Sequence, residues 1–190
     1  HLLLGFLKHT QLQITYGVIN LCLLNGEPKA LGIVPMIQAY IDHQMDVLTR
    51  RTKFLLKRDT DRDHIVTGLI LAHDNIDEVI HIIRGSKTDE ESAAKLNERF
   101  GLSKPQTDAI LAMTLRRLEG LEQEKLQNEH AELTKNIAHY NWLLSDSKNI
   151  LEMMIQELEE VKNKFGDERL TDISNQAADI DNEDLLPQEN

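Results

Sequence analysis

Eight histidines, one cysteine, three tyrosines and 32 acidic residues are the side chains of this 190-residue chain that bear on chemistry. None of the histidines stands in His-x-x-x-His spacing, the simplest metal pair a helix offers. His130 falls on an apolar seam, and His73 and His81 fall in amphipathic stretches, so structural or surface roles suit them. The acid pairs Asp61/Asp63 and Glu90/Glu91 read as solvated helix faces, since no apolar pocket accompanies them in sequence. Cys22 rules out a disulfide framework or a multi-cysteine zinc site and fits a reducing compartment. It lies in an expected buried strand with no histidine nearby, which favours a core thiol over a nucleophile. Neither Gly-x-x-x-x-Gly-Lys nor Gly-x-Gly-x-x-Gly occurs, so nucleotide binding has no support. No catalytic, cofactor-binding or metal residue is assigned.

One basic cluster remains, Arg50, Arg51, Lys53, Lys57, Arg58 and Arg62. Asp59, Asp61 and Asp63 stand among these cations, which favours intrahelical ion pairs. Contact of Arg50, Arg51 and Lys53 with a DNA backbone is the second reading. The formal charge of −11 argues against nonspecific nucleic-acid binding by the surface as a whole, so any DNA contact must be local.

The elements that hold these residues are mainly helical. Aromatics are 4% of the chain, with 9 Gly and 4 Pro, which disfavours sandwiches and loop-rich folds. The chain opens without Met inside an apolar run resembling a helix end, as an internal stretch of a longer protein or a simply processed chain would. No run approaches the roughly 20 apolar residues that span a bilayer. Asn25-Gly26 separates two apolar, β-branched stretches and predicts a small hairpin. A helix starts at Pro35 and runs to Leu56, with the seam Ile37, Ile41, Met45, Leu48 and Leu55. The polar run 57–63 is either a break or an exposed turn of a continuing helix. Further helices cover Ile65 to Ala72 and Ile76 to Ile83, the latter closing at Arg84-Gly85.

Thr88 with Glu91 forms a capping box for the next helix, which runs to Phe100-Gly101. Ser103 then caps a broadly apolar helix from Gln106 to Leu118. A second long helix, Leu121 to Leu144, carries Leu126, His130, Leu133, Ile137, Tyr140 and Leu144 at coiled-coil spacing. A last amphipathic helix closes at Gly166. Residues 167–190 hold eight acids against one base and read as a linker or tail. The two long helices, each about 33–36 Å by their residue counts, form either an antiparallel stalk bearing a helical head or part of an ordinary bundle.

Several strings in order carry a resemblance. They are Thr10-Gln11-Leu12-Gln13, Gly17-Val18-Ile19-Asn20, Asn25-Gly26-Glu27-Pro28-Lys29, His43-Gln44 and Arg50-Arg51-Thr52. Ile76-Asp77, Ala109-Ile110-Leu111 with Met113 and Leu115, Gly120-Leu121-Glu122, Phe165-Gly166-Asp167-Glu168-Arg169 and Asp184-Leu185-Leu186-Pro187 complete the series. Together they resemble the A subunit of bacterial DNA gyrase, a type IIA topoisomerase, and somewhat less its paralogue in topoisomerase IV. Departures occur at Met113-Thr114-Leu115, where the family usually has Arg in the middle, and at Glu168-Arg169-Leu170-Thr171.

The resemblance implies a mainly α fold: a long antiparallel two-helix coiled-coil stalk, a globular helical head, and a small β-hairpin near the N-terminus. It divides the chain into the edge of a tower domain (1–33), an ascending coiled-coil helix (34–57), a head forming the C-gate (58–118), a returning coiled-coil helix (119–145), an amphipathic helix (146–166) and an acidic linker or tail (167–190). It implies a homodimer through the head, with Gln106, Ala109, Ile110, Met113 and Leu115 at the interface. The full enzyme implied is ATP-dependent and supercoils DNA in the cytoplasm, at the nucleoid. It pairs with the gyrase B subunit in an A2B2 assembly. ATP and Mg2+ bind that B-type partner, and no cofactor binds this segment. The catalytic tyrosine would lie upstream, because Tyr16, Tyr40 and Tyr140 lack its usual Arg-Tyr context. The alternatives are the A-type chain of topoisomerase IV, which decatenates DNA, and a non-enzymatic helical adaptor.

Overall fold

The computed structural model describes residues 2–113 and 123–173. Among them are seven helices and one two-stranded hairpin, with no helix long and apolar enough to cross a membrane. The chain divides into two compact units, His1–Ile41 with Glu160–Asn190, and Asp42–Glu159.

The first unit opens with α1, Leu2–His9, closed by the Thr10 amide on the Phe6 carbonyl at 3.0 Å. Strands β1, Leu21–Leu24, and β2, Glu27–Ala30, pair antiparallel with Leu24 opposite Glu27. Asn25 and Gly26 take φ of 53° and 83°, the twist a two-residue hairpin requires and the reason those residue types stand there. The strand is not buried as the sequence suggests. Cys22 and Leu24 are only half-buried, and Leu21 and Leu23 lie open to solvent, so Cys22 is not a core thiol.

Helix α2, Ile33–Asp74, runs 42 residues without a break, about 63 Å at 1.5 Å per residue. The polar run 57–63 is therefore a continuing turn, and the expected boundary at 57/58 is not an element boundary. The run contains neither Gly nor Pro, and it is tied by Lys57 to Asp61 at 2.6 Å and Arg58 to Asp59 at 2.7 Å. The stretch 65–72 is the end of this same helix. Asn75 stops it, its side-chain amide donating to the Leu71 carbonyl at 2.9 Å.

In the second unit α3, Ile76–Arg84, and α4, Asp89–Phe100, fold back as a compact block. The expected cap at Thr88 forms: its hydroxyl accepts the Glu91 amide at 3.2 Å. The Glu91 carboxylate accepts from the Lys87 amide at 2.9 Å, one residue short of the reciprocal bond of a full capping box. α5 covers Lys104–Leu111, with Pro105 in its first turn, and closes at Ala112. It is shorter than the expected 106–118, and residues 114–118 lie outside the described residues.

α6, Gln123–Ser145, returns antiparallel to α2: Gln123 meets Asp74, Glu129 meets Arg62 and His130 meets Asp63. α7, Ser147–Phe165, follows after the single residue Asp146, whose carboxylate accepts the Lys148 amide at 2.9 Å as a helix cap. Arg51 of α2 pairs with Glu157 of α7.

The core of this unit collects Val66, Leu69 and Ala72 from α2, Val79 and Leu96 from the block, Leu102 and Ile110 from the segment ending in α5, and Leu126 and Leu133 from α6. Both long helices thus enter the head core at one end. Farther along, α2 buries Leu48 and Thr52, α6 buries Leu143, and α7 buries Ile150 and Met154. Leu143, not the expected Leu144, is the buried seam position there, Leu144 being only partly covered.

Candidate functional site

The sequence-level candidates fall in two places, the end of α5 in the head and the basic stretch of α2. At α5 the amino acids divide by face. Gln106, Thr107 and Ile110 are buried, with Ile110 in the head core, so they point at the protein's own interior. Gln106 and Ile110 are therefore not available to a partner, because helical periodicity turns both onto α2 and the block. Lys104, Pro105, Asp108 and Ala112 face solvent, while Ala109, Leu111 and Met113 are half-buried on the flanks. Leu115 lies outside the described residues.

Two grooves meet at Met113. The first, about 370 Å³, lies between α2, α5 and α6, lined by Ile65, Leu69, Ala109, Ala112, Met113 and Leu126 with Arg62, Lys125 and Glu129 at its rim. The second, about 180 Å³, is lined by Ile80, Ile83, Ile110, Leu111 and Met113 with Arg84 and Asp89. The second groove is mostly apolar surface, while in the first the charged side chains make the polar share the larger; apolar side chains bordered by charges suit a protein–protein contact. A third groove of about 410 Å³ runs between α4 and α5; its surface is evenly polar and apolar, with Asp89, Glu90, Asp108 and Lys104 in its walls beside Ala93, Leu102 and Leu111.

The cations of α2 are mostly spent on neighbouring acids. Arg50 pairs with Asp46 at 2.8 Å, Arg51 with Glu157, and Arg62 with both Glu129 oxygens at 2.6 and 3.0 Å. Lys53 makes no ion pair among the described residues. The hydrogen bond donated to Glu129 holds the Arg62 guanidinium above its usual range, and that donated to Asp59 does the same for Arg58. Of the trio proposed for DNA contact, Arg50 and Arg51 would have to give up an existing partner.

Several other side chains are tied structurally. His130 bonds Asp63 at 2.7 Å, His64 meets the Ser103 hydroxyl at 2.6 Å, and His139 stacks on Trp142. Asp61 holds Lys57, and Glu91 holds Lys95 at 2.8 Å. No group of metal-ligating side chains occurs among the described residues.

Two features escape a reading by residue type. Asp59 is 3% exposed and one of its oxygens has no hydrogen-bond partner. Its position, four residues beyond Leu55 on the apolar seam, is the signal that would have found it. Gly68 lies directly beneath Gln106, where a Cβ would come within 2.7 Å of that side chain. Nothing local marks that approach.

Residues 2–159 match the family model that describes the A subunit of DNA gyrase and topoisomerase IV. The chain is 47% identical over 183 residues to the A subunit of DNA gyrase from Clostridium acetobutylicum, covering 96% of this chain and 22% of that protein. It is 45% identical over 179 residues to the Deinococcus deserti gyrase A subunit, covering 94% of this chain and 22% of the relative. For the Staphylococcus epidermidis gyrase A subunit the figures are 44% over 183 residues, 96% and 20%. The chain spans about a fifth of the length of these curated relatives.

Proposed function

The chain belongs to the family of DNA gyrase and topoisomerase IV A subunits, and from that premise we propose that it is the coiled-coil and C-gate segment of a type II topoisomerase A subunit. The full enzyme passes one duplex through a double-strand break, negatively supercoiling DNA as a gyrase; decatenation, as the topoisomerase IV paralogue, is the second reading. The strand-cleaving tyrosine belongs to a part of the protein upstream of this segment. ATP and Mg2+ belong to the B-type partner, in an A2B2 assembly with DNA in the cytoplasm. This segment has a mechanical part: its head meets a second copy across a two-fold axis, and separation of the two heads releases the transported duplex.

The observation that carries this reading is the apolar surface around Met113, where two grooves open side by side on the head. A two-fold contact lets the same patch serve on both copies. Gln106 and Ile110 are buried within the chain, which supports a contact through Ala109, Ala112 and Met113 in the same stretch.

Sedimentation equilibrium of the wild-type chain, Met113→Asp and Ala112→Glu tests it, with circular dichroism to follow folding. A charge placed in such a contact weakens self-association by about 2–5 kcal/mol, more than tenfold in Kd. Ala112 is exposed, so its variant stays folded even if Met113→Asp does not. A wild-type monomer at tens of micromolar, or a folded Ala112→Glu dimer as tight as wild type, refutes this placement of the gate surface.

A further inference from the structure

Gln106 is polar, 7% exposed, and lies between α5 and α2. Its side-chain oxygen accepts the Ser103 amide at 2.9 Å, and its side-chain nitrogen donates to the His64 carbonyl at 2.7 Å. That carbonyl is the one α-helical geometry already assigns to the Gly68 amide, so Gln106 adds a second donor to it. The aliphatic part of Gln106 rests on Gly68: a Cβ at 68 would meet its Cγ at 2.7 Å, its Cβ at 2.8 Å and its Cδ at 3.0 Å. A glycine inside a helix is unfavourable relative to alanine. Here it opens the seat that lets α5 approach α2. His64 and Ser103 tie the same two elements again, ring nitrogen to hydroxyl, at 2.6 Å.

We propose that Gln106 is a positioning residue that locks α5 to α2 at Gly68 and thereby fixes the apolar surface at the end of α5. The lock joins the first turn of α5, which begins at Lys104, to the stretch of α2 that also carries Arg62 and Asp63 opposite α6. Displacement along α2 then passes to Ala109, Ala112 and Met113 as a rigid shift of α5. That consequence rests on the self-association surface proposed above; the lock itself does not.

The test replaces Gln106 with Met, which keeps an unbranched chain of similar size and removes both hydrogen bonds. Amide exchange is read at Thr107 and Ala112, bonded to the Ser103 and Asp108 carbonyls, and at Ser92 in α4 as the control. Exchange at the α5 amides should rise about tenfold with Ser92 unchanged, and self-association should weaken by a similar factor with helix content retained. Gln106→Glu, which keeps the acceptor for Ser103 and loses the donor to His64, should fall at least as far in self-association. An unchanged α5, or a rise shared equally by α4, overturns the lock. Faster exchange confined to α5 with undiminished self-association overturns its link to the surface. A wild-type monomer removes the self-association reading, and the exchange contrast then decides the lock alone.

Discussion

Replacing Asp59 with Leu should make this protein more stable. Asp59 is 3% exposed at a seam position of α2; one carboxylate oxygen takes the Arg58 guanidinium at 2.7 Å, and the other has no partner. An unsatisfied buried acceptor costs about 1–3 kcal/mol. Burying a leucine side chain in its place contributes about 1.5–3 kcal/mol. Fitting the larger side chain between α2 and its neighbour costs about 1–3 kcal/mol in displaced packing. Arg58 loses a partner, but its side chain is more than half exposed and water replaces the bond. The mid-range values leave a net gain of about 2 kcal/mol, in line with buried ionic groups replaced by apolar residues. At about 2–4 °C per kcal/mol for a chain of this size, the thermal midpoint should rise by roughly 4–8 °C. Urea unfolding followed by circular dichroism measures the same gain as a higher midpoint at unchanged slope. Asp59→Asn removes the charge and keeps the polar atoms, so it should gain less than the leucine. If Asp59→Leu unfolds earlier than wild type, the position is not an apolar rung, and the reasoning from its burial fails.

Gly68→Ala should destabilise the chain by about 1–2 kcal/mol in urea unfolding although alanine is the better helix former, because the Gln106 contact at 2.7 Å outweighs the gain in propensity; adding Gln106→Ala should return part of the loss. The Lys95 ammonium, and after it the Lys87 amide, hold the Glu91 carboxyl below its usual range. A lowered folded-state value means the contribution is full above the unfolded carboxylate's pKa of about 4.3 and disappears as pH falls through the folded one. Glu91→Gln should therefore flatten the acid limb of an unfolding titration and leave the limb above neutrality unchanged. DNA binding by this chain should be weak and steeply salt-dependent, since Arg50, Arg51 and Arg62 are already paired and the net charge is −11. Submicromolar affinity by anisotropy at physiological salt would contradict that, as a covalent DNA adduct at Tyr16, Tyr40 or Tyr140 would contradict the proposed place of the cleavage site.

What the sequence determined by itself is local or cumulative. Asn25-Gly26 dictates the hairpin because its positive φ angles are set by the residues themselves. Thr88 announces the start of α4 because a hydroxyl three residues before an unpaired amide caps it wherever the helix lies. The ordered strings from Thr10 to Pro187 identify the family because many matches accumulate along one chain.

The tertiary structure decided everything that depends on what stands opposite a residue. The run 57–63 reads the same as a turn or as a helix, and both its own ion pairs and the arrival of Glu129 and His130 from α6 accompany the helix. Gln106 and Ile110 share the α5 periodicity with Ala109 and Met113. Periodicity gives the angle between side chains on one helix and leaves open which direction is inward. Only the helix packed against it settles that, as Gly68 does for Gln106 and the head core does for Ile110. Asp59 shows the same rule from the other side: a carboxylate is placed in water by its type, and was placed in the seam by the turns of helix on either side that had to pack.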